Sequence, residues 1–367
     1  MRKHLASYLI AILALVLSAC GGSPTATNAG DAAAGASDAQ QVYQQINGLS
    51  GDERSKTLLD LAKKEGKLSL YTSNTDMDDV VNAFKEKYGL DVETYRANSE
   101  TVLQRVLQES TAHYQGADLI ETNAGELNDL QQQQLLYPYE GELRDKVRPE
   151  GQKDGWTADR FNAFVIGWNK GKVAAGSEPQ SLKDLAEPQW KGRVGLEIGD
   201  VDWFAAMYNY YKSQGMSDDD VTNFFHSLAA NSKIAKGHTV MGELLSAGQF
   251  DVAASIYSHT VDNAAEKGAP VSWRKNGKPV EPVVLRPNGA GLMKTAKHPA
   301  IAMLFLDFLL TDGQKAIAGA NRIGAIPTAD DPLAGVQTVS VPEEELLNNP
   351  QKWNDAYKKV TDSGGQA

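Results

Sequence analysis

The sequence predicts an α/β protein of two lobes, with the chain crossing between them twice to form a hinge. Three observations carry that prediction. Strand-like and helix-like segments alternate from residue 58 onward, the order of a parallel sheet covered by helices with right-handed crossovers. The alternation pauses at a polar, Gly-rich stretch over 169–179 and then resumes. About 320 residues remain beyond the N-terminal polar region, more than a single core usually serves.

In chain order, Met1, Arg2, Lys3 and His4 form a basic head before an apolar run over 5–17. That run falls short of the roughly 20 residues a spanning helix needs and has the proportions of a signal-peptide core. It ends in Leu17-Ser18-Ala19-Cys20-Gly21, which resembles the bacterial lipobox. The resemblance implies a signal peptide over 1–19, removed before a lipid-bearing Cys20, and an anchor at the outer face of the cytoplasmic membrane. Cys20 is the one cysteine in the chain. An unpaired thiol gains a secreted protein little, and a lipid explains it. Residues 20–45 are mostly small and polar with no apolar period, so a flexible tether is expected.

The first lobe is expected over 46–165 and 286–367. Leu68-Ser69-Leu70-Tyr71 reads as a buried strand, and the next helix carries Val80, Val81, Phe84 and Tyr88 on one face. A strand over 91–96 follows. Ser99 then caps a helix with Val102, Leu103, Val106 and Leu107 inward. Residues 117–120 form a third strand, and Leu127 and Leu130 mark its helix. An apolar strand over 161–168 leads to the second lobe, expected over 166–285. There Ser181 and Asp184 have capping-box spacing. Strands are expected over 193–198 and 250–257, with an aromatic-rich helix near 203–212 between them. A Pro- and Gly-rich stretch over 275–291 reads as the return. His298-Pro299 opens a helix, since Pro costs nothing at the first helical position. One terminal helix over 343–360 is expected with lobe 1.

Composition narrows the function. Net charge is −11 with no Lys/Arg block beyond the leader, which argues against nucleic acid. The motifs Gly-x-Ser-x-Gly, His-Glu-x-x-His, Gly-x-x-x-x-Gly-Lys and Gly-x-Gly-x-x-Gly are all missing, and the six histidines form no local metal pair. A non-enzymatic role is therefore expected, ahead of a secreted hydrolase.

Four segments resemble bacterial extracellular solute-binding proteins of the ferric-type, family 1 group: LAKKEGKLSLYTS over 61–73, SLKDLAEPQWKGRV over 181–194, GELLSAG over 242–248, and 298–314 with its LTDGQ ending. The resemblance implies the type II periplasmic-binding fold, closing on a ligand without chemistry. It implies a monomer that delivers its load to an ABC permease. A sensor subunit for a membrane receptor would use the same cleft. The cargo is expected to be ferric ion, an iron chelate or a small organic anion, with no resident cofactor.

Ligands in such sheets sit at the carboxyl ends of strands. Ser73, Asn74 and Thr75 leave the first strand, where helix-start N–H groups suit an anion and one of the three should cap the helix. Asn123 ends the third strand, at the point where iron-binding relatives carry an acidic residue; an amide is a poor donor for hard Fe³⁺. In the second lobe, Asp202 reads as an N-cap or a ligand contact, and Trp203 as a pocket wall or core. Thr239, beside His238, repeats the capping-plus-anion logic. Tyr257 stands where ferric-binding relatives carry two adjacent tyrosines, and here the second position is Ser258. Tyr257 remains the candidate metal ligand, with His259 two residues on as a partner if the strand continues.

Overall fold

The computed structural model describes residues 29–366, with side chains from 38 to 365; the expected signal peptide and Cys20 lie outside them. Helix α1 (Ala29–Asn47) occupies most of the expected tether. The correction has a physical basis. The segment is rich in alanine, the best helix former, and Ala39, Tyr43 and Ile46 are buried at helical spacing. The Tyr43 hydroxyl donates to the Met293 carbonyl at 3.1 Å. No helix among the described residues is long and apolar enough to cross a membrane.

Helix α2 (Gly51–Glu65) leads into β1 (Lys67–Thr72), α3 (Met77–Tyr88), β2 (Asp91–Arg96), α4 (Ser99–Thr111), β3 (Leu119–Asn123) and α5 (Ala124–Gln132). β1 pairs in parallel with β2 and β3, as the alternation predicts. The long strand β4 (Thr157–Asn169) crosses to the second half, which is built from β5 (Val194–Glu197), α6 (Val201–Ser213), α7 (Asp218–Ala230), β6 (Ser232–Ala235), α8 (His238–Ser246), β7 (Val252–Tyr257) and α9 (Ser258–Glu266). Strand β8 (Val283–Met293) returns, and α10 (Pro299–Leu309) follows it. β4 and β8 pair antiparallel along most of their length; β8 also pairs with β3, and β4 with β7. These two strands are the hinge crossings, and they join both halves into one sheet. All of β4 is buried, because both its faces are covered.

The C-terminus departs from expectation. Thr338–Ser340 runs along β8, and Pro350 splits the single expected helix into α11 (Glu343–Asn348) and α12 (Pro350–Thr361). The residue before a proline is driven out of the helical region, and Asn349 sits at φ −136°. α12 packs on α6 and α7, and the final strand β9 (Gly365–Gln366) extends β6. The C-terminal helices expected with lobe 1 thus belong to the packing of lobe 2. Trp353 and Tyr357 lie there in one buried cluster with Phe204 and Phe225.

Candidate functional site

The strand ends of both halves meet across the hinge. On the first side, α3 begins at Met77 with Asp76 at the N-cap position, and no side chain caps it. The expected cap by Ser73, Asn74 or Thr75 is therefore corrected. Ser73 is tied to the sheet, its N–H donating to the Glu121 carbonyl and its hydroxyl accepting from Thr122 at 2.9 Å. Thr75 is exposed. Asn74 is buried, and its amide oxygen accepts from Arg322 Nη2 at 3.4 Å.

Arg322, which sequence reading missed, organises this wall. Its Nε donates to Asp76 at 2.7 Å and its Nη1 to Asn162 at 3.2 Å. Asn162 donates to Asn288 at 2.9 Å, and Asn288 to Asn123 at 2.6 Å. Asn74 and Asn123 are thus joined through one amide–guanidinium chain. Behind it, fully buried Arg160 pairs with Glu121 and Asp159. Burial lifts the Asp159 carboxyl to about 7, although Arg160 opposes the rise. Burial, then the like charge of Arg160, lowers the pKa of Arg322.

On the second side, Tyr257 is 9 % exposed and its ring stacks on His238 at 3.5 Å between centroids. Its hydroxyl accepts from Arg286 Nη2, and Arg286 Nη1 donates to Asp202 at 2.9 Å. Burial drives the Tyr257 phenol up against the opposing pull of Arg286, so the neutral form is held at physiological pH. Burial works against the Arg286 charge, but Tyr257, Asp202 and Asp200 outweigh it and keep the guanidinium protonated. Tyr257 ends its strand, so His259 lies in the first turn of α9 rather than further along the strand. Their rings still lie nearly parallel, 5.3 Å apart. Burial, then Arg322, holds His259 well below its ordinary pKa, hence neutral.

Three expectations on this side change. The N-cap position of α6 is Asp200; Asp202 sits in the first turn, its carboxylate free to meet Arg286. Trp203 is 3 % exposed and meets Phe225 edge-on at 6.0 Å, so it is core rather than pocket wall. Thr239 is exposed in the first turn of α8, whose preceding Gly237 N–H is already taken by Glu197 Oε1 at 2.7 Å. A cavity of about 520 Å³ opens between the halves, lined by Ala124, Glu126, Asn128, Asp202, Arg286 and Glu343 among others. That volume suits a small molecule. Arg286 belongs to hinge strand β8, and nothing local in Leu285-Arg286-Pro287 marks it as a site residue, because its partners lie 29 and 84 positions away.

The chain is 23 % identical over 298 residues to iron uptake protein A1 of Synechocystis, covering 77 % of this chain and 81 % of that one. In structure it is similar to iron-bound HitA from Pseudomonas aeruginosa, with a TM-score of 0.66 and 22 % identity, covering 80 % of this chain and 99 % of that one. It is also similar to Trichodesmium IdiA (FutA) in complex with iron and citrate, with a TM-score of 0.63 and 20 % identity, over 82 % of this chain and 100 % of that one. These likenesses establish the two-lobed periplasmic-binding fold. Residues 116–359 match the model of the bacterial extracellular solute-binding protein family, and with its two-lobed cleft the chain belongs to that family.

Proposed function

We propose that the chain captures iron as a complex with a small anionic chelator, acts as a monomer without chemistry, and hands its load to an ABC import permease. The observation that carries this reading is Arg286. It binds the one tyrosine hydroxyl of the site, and its Nε is buried with no acceptor among the described residues. A buried donor left unmade is costly, and an anion would complete it. Fe³⁺ is a hard cation that seeks anionic oxygens. Tyr257, held neutral by burial, offers one only when the metal displaces its proton, while Asn74 and Asn123 are neutral amides. A chelator that brings its own carboxylates supplies the rest, and Arg286, which lines the cavity, is the cation to hold them. Iron-named relatives support the metal.

A metal-free organic anion is the second reading, favoured by the raised Tyr257 pKa. Calorimetric titration with ferric citrate and with citrate alone separates the two. Iron binding through the phenolate gives a visible charge-transfer band with ferric citrate. Tyr257→Phe abolishes that band and weakens binding by at least about tenfold, because it removes the phenolate ligand and leaves Arg286 Nη2 without its acceptor. Equal affinity for citrate with and without iron, and no band, selects the metal-free anion. No binding of either rejects both.

A further inference from the structure

We infer that the second lobe carries a separate site for a divalent transition cation of the Zn²⁺ class, held by Glu197, Asp200 and His238. The three come from different elements. Glu197 ends β5, Asp200 occupies the N-cap position of α6, and His238 opens α8. One ligand atom from each lies within 4.8 Å of the others. His238 Nε2 and Asp200 Oδ1 are 2.9 Å apart. That contact is a hydrogen bond in this structure; a cation would take the place of its proton, and tetrahedral ligands each about 2.1 Å from one ion stand about 3.4 Å apart, so the pair need open by only about half an ångström.

Two further observations point to a ligand here. Asp200 is 2 % exposed, yet its Oδ2 has no hydrogen-bond partner among the described residues, and neither does His238 Nδ1. A carboxylate oxygen in that position needs a cation or a donor. The local charge is also unbalanced. Glu197, Asp200 and Asp202 face one permanent cation, Arg286, which is engaged with Asp202, and His238 adds positive charge beside Asp200 only when protonated. The N-terminal end of α8 adds about half a positive charge and does not close the gap. A dication does. Glu197 Oε1 and Oε2 accept from Gly237 and Gly199 N–H groups, and each keeps a second lone pair for a metal.

The donor set chooses the ion. Two carboxylates and one imidazole suit Zn²⁺, which accepts mixed nitrogen and oxygen ligands and keeps an open position for water. Such an ion would tie the β5–α6 loop to the start of α8 and fix the His238 ring that stacks on Tyr257. It would thereby order one wall of the cargo cleft.

The test is calorimetric titration of the chelator-stripped, full chain with Zn²⁺. One equivalent binds. His238→Ala and Asp200→Asn each weaken it by at least the roughly 10–100-fold that loss of an outer partner costs, while His226→Ala on the surface leaves it unchanged. Zn²⁺ also protects His238, and not His226, from diethyl pyrocarbonate in the unsubstituted chain, read by peptide mass spectrometry. That reading stands even if a variant folds poorly. Absence of binding, affinity unchanged in both site variants, or equal modification of His238 with and without Zn²⁺ overturns the assignment.

Discussion

At the scale of the residue, Asp118 shows how a strand-end carboxylate serves structure. It accepts from the backbone N–H groups of Ser69, Lys297 and His298 and from His298 Nδ1 at 2.9 Å. The hydrogen bond to Asp118, in first place, raises the His298 pKa above 6.5. The sign follows from linkage. The folded state binds the proton more tightly, so this stabilisation is complete below 6.5 and fades as pH rises through the raised value. His298→Gln should therefore cost more stability at pH 5.5 than at pH 8.5, measured by urea unfolding at both. Equal losses would remove the charged pair from the account. Tyr257 follows the same logic with opposite consequence: burial keeps its phenol neutral, and only a cation or a guanidinium makes its oxygen useful to a ligand.

At the scale of the element, helix α12 owes its position to packing rather than to the hinge. Its buried Trp353, Tyr357 and Val360 lie on one face, and Trp353 meets Phe204 at 5.9 Å and Tyr208 at 5.5 Å. Trp353→Ala should cost about 3–5 kcal/mol, the range for deleting a buried aromatic. Denaturant melts will show it as a lower midpoint. Helix α2 caps a neighbour instead: both Glu65 oxygens accept N–H groups from Ala300 and Ile301 at the start of α10, where Pro299 has no donor of its own. Of these, α10 was readable from its apolar spacing and α12 as part of one longer terminal helix, while α2 was not anticipated. Which lobe α12 joins was not, because Trp353 and Tyr357 would suit any apolar surface.

At the scale of the whole molecule, β4 and β8 make the lobes one sheet with a bending line. The register of this pair shifts at Asn288 and Gly289, and a Cβ on Gly289 would lie 2.4 Å from the Thr157 carbonyl oxygen. Gly289→Ala should push the crossing strands apart and lower the melting temperature by several degrees, since overpacking costs about 1–3 kcal/mol. If ligand bridges the two lobes, its differential contacts favour the closed form. Small-angle scattering should then record a smaller radius of gyration with saturating ferric citrate, and an identical profile would argue against closure.

Periodicity and strand-helix alternation determined the α/β architecture, the two crossings and most helices from the sequence alone, because each rests on local spacing of apolar side chains. The strand-end rule pointed to Asn74, Asn123 and Asp202, of which Asp202 sits in the first turn of α6, and the family resemblance pointed to Tyr257. Tertiary structure decided the rest. It buried Trp203, built α1 where small residues suggested a tether, and brought Arg286 to the cavity wall and Arg322 to Asn74 and Asn162. Those two arginines meet partners between 29 and 248 positions away. No local pattern encodes such a meeting; only the closure of the sheet around the hinge does.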